Sequence, residues 1–119
     1  PQDTLSEYLI SGKVFKKRIE LINIKFESDF NSDIRFNEIS FTDRLYVQQT
    51  NFENNIVFEN CYFHKGIDFF NENEFYNLSF INCTLVGIND IKNSKINDLT
   101  FKQNYILGYI ELYDDMTIG

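Results

Sequence analysis

Two aspartates, Asp68 and Asp90, offer the chain its best prospect of reactive chemistry: they lie twenty-two positions apart, with Glu72 and Glu74 nearby in sequence. Carboxylates brought into register can hold a hard cation such as calcium or attack a glycosidic bond. Little else competes with them. His64 is the single histidine, which excludes a multi-histidine metal centre and the usual two-histidine zinc motif. No serine or cysteine sits in a nucleophile elbow, and the sequence carries no glycine-rich phosphate loop. His64, beside Lys65-Gly66, reads as a solvated turn residue. Cys61 and Cys83 are also twenty-two apart. Two cysteines make no disulfide framework, so they read as buried free thiols acting as small hydrophobes.

The shared spacing points to a repeat. IVFENCYF at 56–63 returns as LSFINCTL at 78–85, which sets Ile56 over Leu78, Phe58 over Phe80, Asn60 over Asn82, Cys61 over Cys83 and Phe63 over Leu85. Apolar residues at i, i+2, i+5 and i+7 fit neither a helix nor one straight strand. They fit two short strands joined by a corner at Glu59-Asn60 or Ile81-Asn82, where asparagine tolerates the left-handed backbone. Steps of eleven recover Ile34, Phe36, Ile39 and Phe41, then Leu45, Val47, Thr50 and Phe52. Ile91, Ser94 and Ile96 match in part, and after a one-residue deletion Leu99, Phe101, Asn104 and Ile106 follow. The copy made of Ile67, Phe69 and Phe75 needs one inserted residue near Glu72 to Glu74, where a bulge or loop is expected. The third position reads Ile39, Cys61 and Cys83 in alternate copies and Ser28, Thr50 and Ser94 between them. One coil therefore takes two copies.

These features predict an all-β fold, a short right-handed parallel β-helix of about 22 residues per coil, with coils ~4.8 Å apart. Its core would be stacked columns of Phe36, Phe58 and Phe80, of Val47, Phe69 and Ile91, and of Phe41, Phe63 and Leu85. An N-terminal capping helix is expected over 3–11, where Thr4 and Glu7 make a capping box before Gly12. The expected organisation is capping helix and lead-in strand over 1–20, repeats over 21–113 and a tail over 114–119.

The five-residue steps between Phe36, Phe41 and Tyr46, between Phe58 and Phe63, and through Phe75, Phe80 and Leu85 resemble the pentapeptide-repeat proteins. Their repeat has a central Leu or Phe with a small or apolar residue two places before it. Ile34, Ile39, Ile56, Cys61, Leu78 and Cys83 supply that partner here. The resemblance covers about residues 34–85, and alternate steps of five and six make these coils longer than the family's square coil. It implies a β-helical rod, and for some members an acidic surface that mimics DNA and binds topoisomerases.

Thirteen Phe, seven Tyr, no Trp and fifteen Asn suit stacked strands with polar corners. The formal net charge is −7, divided as +2 through residue 25 and −9 beyond it. An acidic body is the wrong sign for a nucleic-acid groove, and no apolar run is long enough for a membrane span. The basic run Lys13 to Arg18 reads as a solvated strand edge. The expectation is a non-enzymatic protein-binding or scaffold module without cofactor or metal, with a cytoplasmic setting favoured. Asp43, Glu53, Glu59, Asp68 and Asp90 are the candidate protein-binding surface. Over the last segment the expectation is a closing strand pair that caps the far end, or an edge for self-association; Tyr105, Tyr109 and Tyr113, at every fourth place, are the candidate edge for a homodimer through the terminal coil. Two alternatives stand beside this: an acidic DNA mimic acting on a DNA-handling enzyme such as a topoisomerase, and a fragment of a carbohydrate-active β-helix using Asp68 and Asp90.

Overall fold

The computed structural model describes residues 14–15, 19–22, 25–26, 34–112 and 117–118. The strands in order are β1 (Val14–Phe15), β2 (Ile19–Ile22), β3 (Lys25–Phe26), β4 (Ile34–Asn37), β5 (Ser40–Phe41), β6 (Leu45–Gln48) and β7 (Asn51–Glu59). They continue with β8 (Tyr62–Phe63), β9 (Ile67–Phe70), β10 (Asn73–Ile81), β11 (Thr84–Ile91), β12 (Ser94–Lys102), β13 (Tyr105–Leu112) and β14 (Thr117–Ile118). They form two sheets in which strands pair in parallel with those one turn away. One holds β1, β2, β5, β6, β8, β9, β11 and β13, the other β3, β4, β7, β10, β12 and β14. The result is a β-solenoid of about 4 turns with coils of about 22 residues.

The corners explain the eleven-residue step. Glu38, Gln49, Asn60, Asn71, Asn82 and Asn93 follow one another at that spacing, with Gln103 ten further on, and each has positive φ. They lead alternately from one sheet to the other. At Asn60 and Asn82 the corner falls where the asparagine pattern places it, and Asn82 Nδ2 donates to the side-chain Oδ1 of Asn60 one turn below. The expected insertion is also present. Asn71 and Glu72 are both left-handed, so the chain spends one residue more between Phe70 and Glu74 than between Gln48 and Asn51. A register shift opposite Phe75 and Asn77 follows, where β7 carries the compensating extra residue.

Inside, the columns stand as the repeat predicts. Phe36 stacks on Phe58 with centroids 4.7 Å apart, Phe58 on Phe80 at 5.1 Å and Phe80 on Phe101 at 5.2 Å. Phe41 stacks on Phe63 at 5.1 Å, and Val47, Phe69 and Ile91 share a third column. Each buried ring stabilises the fold by about 2 to 3 kcal/mol. The third position ties turns together. The Cys61 thiol donates to the Phe36 carbonyl and the Cys83 thiol to the Phe58 carbonyl, both at 3.1 Å, and Asn104 Nδ2 donates to the Phe80 carbonyl at 2.8 Å. Cys61 and Cys83 are buried free thiols. The neighbouring Cys83 thiol and burial push the Cys61 thiol up. Asn73, fully buried, donates to the Val47 and Phe70 carbonyls and accepts from the Thr50 amide. Each such bond gives a backbone group near a corner a side-chain partner.

The capping helix expected over 3–11 lies outside the described residues, as do 16–18 of the basic run and Tyr113. The C-terminal expectation is corrected. Instead of a closing strand pair, β13 runs parallel to β11 over its whole length, and β14 pairs with β12 at the start of a further turn. The column register carries the chain straight on, with Gly108 over Gly87.

Candidate functional site

Asp68 and Asp90 lie outward on β9 and β11 and are register partners in adjacent turns. The same column continues upward to Glu111 on β13 and downward to Tyr46 on β6. The sequence pattern places this pair correctly, because a 22-residue coil returns each outward position to the same wall.

What meets the carboxylates is an arginine. The bend between β5 and β6 is short, and Asp43 Oδ1 accepts the Arg44 amide there at 2.7 Å. The Arg44 side chain crosses the wall, with Nη2 3.4 Å from Asp90 Oδ2 and Nε 3.9 Å from Asp68 Oδ2. Its Nη1 also donates to the Lys65 carbonyl at 3.5 Å. All three charged side chains are largely covered, so the pairs are less screened than exposed ones. The remaining oxygens, Asp68 Oδ1 and Asp90 Oδ1, are buried without a hydrogen-bond partner. That burial raises the Asp68 carboxyl above the usual carboxylate range; Lys92 and Arg44 oppose the rise and Asp90 adds to it. The arrangement can hold charge in a fixed place. Among the described residues, no cluster of three or more His, Cys, Asp and Glu side chains is arranged to hold a metal ion.

The remaining predicted surface acids divide. Asp43, Asp68 and Asp90 gather around Arg44. Glu59, at the end of β7, pairs with Arg35 of the turn below at 3.1 Å, and Glu53 is exposed on the outer face of the opposite sheet. The five therefore do not form one patch. Tyr105 and Tyr109 are 63% and 48% exposed on β13. His64 is exposed in the turn after β8, and its Nε2 lies 2.7 Å from Ser40 Oγ, with its ring 4.1 Å from that of Tyr62.

Sequence reasoning missed Arg44 and Glu111. Glu111 was within reach, since extending the Asp68 to Asp90 column by one turn finds it. Arg44 belongs to no repeat column, and no local signal marks it as the partner of residues 24 and 46 positions away. No family model, curated protein or solved structure matches the chain.

Proposed function

We propose that the chain is a non-enzymatic scaffold or protein-binding module whose coil walls carry recognition. The observation that supports this reading is the Arg44 crossing: the pair best suited to chemistry is tied into the wall by an arginine. Arg44 engages one oxygen of each carboxylate and the other oxygen of each is buried, which leaves little carboxylate surface for a substrate to reach. The outward columns, held by the paired sheets behind them, then act by shape and charge. The test compares wild type with Glu59→Lys and Glu111→Lys in cross-linking from lysate of the source cell. A retained protein lost on either reversal, while thermal melts stay unchanged, supports binding through the acidic walls. Release of reducing ends from a polysaccharide by wild type, abolished in Asp90→Asn, overturns the reading.

A second reading keeps the resemblance to pentapeptide-repeat proteins and takes the chain as an acidic mimic that engages a DNA-handling enzyme. The net charge of −7 and the column of Asp68, Asp90 and Glu111 favour it. Its signature is capture of such an enzyme that weakens steeply as salt rises. Capture that is indifferent to salt counts against it.

A further inference from the structure

The wall opposite Arg44 carries a trench. On β7, β10 and β12, outward side chains stand in two rows, Asn51, Glu74 and Lys95 in one and Glu53, Tyr76 and Asn97 in the other. Between them lies an open cleft of about 500 Å³ along the solenoid axis, floored by the strands at Phe52, Phe75 and Ile96. The trench lies where the two-residue corner at Asn71 and Glu72 displaces the register and β7 carries its extra residue. Tyr76 is 57% exposed there.

We propose that this trench binds a neutral oligosaccharide, with its rings crossing the strands and one of them lying against Tyr76. Four observations select that occupant. The floor at Phe75 is paired in parallel with Phe52 on one side and Ile96 on the other, so its backbone has no free edge to which a peptide strand could add. Recognition must come from side chains. Those side chains mix acceptors (Glu53 and Glu74), a donor (Lys95) and two amides that do both (Asn51 and Asn97), which matches hydroxyl groups that donate and accept. Two carboxylates against one lysine leave a charge of −1, which disfavours an anion such as a nucleic acid. The tyrosine supplies an apolar face with a polar tip, suited to a ring that is apolar on its face and polar at its rim. This site is independent of the Asp68 and Asp90 wall and involves no bond cleavage.

The experiment is a nuclear magnetic resonance titration of the whole chain with cellohexaose, chitohexaose and maltohexaose, and separately with hexalysine. At least one sugar is expected to shift amides clustered at 51–53, 74–76 and 95–97. Tyr76→Ala should weaken that sugar about tenfold, with Tyr76→Trp restoring binding and both variants melting as wild type does. Lys65→Ala, in the exposed turn before β9, should leave binding unchanged. No shifts with any of the sugars, shifts centred elsewhere, or shifts with hexalysine alone would each overturn the proposal.

Discussion

Asp68 carries a carboxyl whose burial costs the charged form more than Arg44 and Lys92 return. The folded state therefore holds this proton more tightly than the unfolded chain does. Its contribution is favourable below the unfolded carboxylate value of about 3.9 and is lost as pH rises through the higher folded value. Asp68→Asn should remove that fall, so the difference in urea midpoint between variant and wild type should shift in the variant's favour from about pH 3 to about pH 7. A constant difference across the range would mean that burial and the ion pairs cancel, and a shift in the wild type's favour that the ion pairs dominate. Gly66 has φ +78°, and a Cβ there would lie 2.2 Å from the Ile88 carbonyl oxygen. Gly66→Ala is expected to lose about 1 to 3 kcal/mol in chemical denaturation, with little change at the exposed neighbour in Lys65→Ala. Residues of this kind mark the limit of sequence reading. Asp68 and Asp90 were legible because equal spacing stacked them, whereas Arg44 was not, because its contacts depend on where a short bend aims one long side chain.

At the scale of the element, the Phe column and the corners divide the labour of setting the coil. Phe58 has a stacked ring above and below it and is 3% exposed, so Phe58→Ala should cost about 3 to 5 kcal/mol, read as a lowered denaturant midpoint. Phe101, on the last described turn, is 39% exposed and stacks on one side only, on Phe80. Phe101→Ala should therefore cost clearly less in the same melt, and equal losses would argue against the stacked register. The corners were partly legible. Asn60 and Asn82 announce a left-handed position by residue type, since asparagine adopts it at low cost. Glu38, Gln49 and Gln103 occupy the same conformation without that preference, because the sheets on either side fix where the chain must turn. Their backbone cost, of order 1 to 2 kcal/mol for an ordinary side chain, suggests that Gln49→Gly should raise the melting temperature. The inserted residue at Glu72 was legible because it broke an otherwise regular count.

At the scale of the whole molecule, the turn built from β12 and β13 is left partly uncovered by the described residues. Ile106, Leu107, Tyr109 and Leu112 are each between 38% and 48% exposed, and β13 pairs within the sheet on one side only. A strand edge of this kind invites a further strand, and a second copy of the chain brings one with a single charge in eight residues. Association through this edge should appear as a concentration-dependent mass in sedimentation, removed by Leu107→Lys together with Tyr109→Lys. A mass that stays monomeric at high concentration excludes it. The two alternating kinds of corner carry a last consequence, for how such a gene can lengthen. Because successive corners cross between sheets in opposite directions, a duplicated segment returns every side chain to its own wall only when it spans a complete coil. A half-length duplication would set a Thr50-type position in the column of Cys61 and exchange the two walls. Inheritance of length in this chain is therefore quantised: tandem copying of 60–81 should yield a folded, taller protein, and copying of 60–70 alone should not.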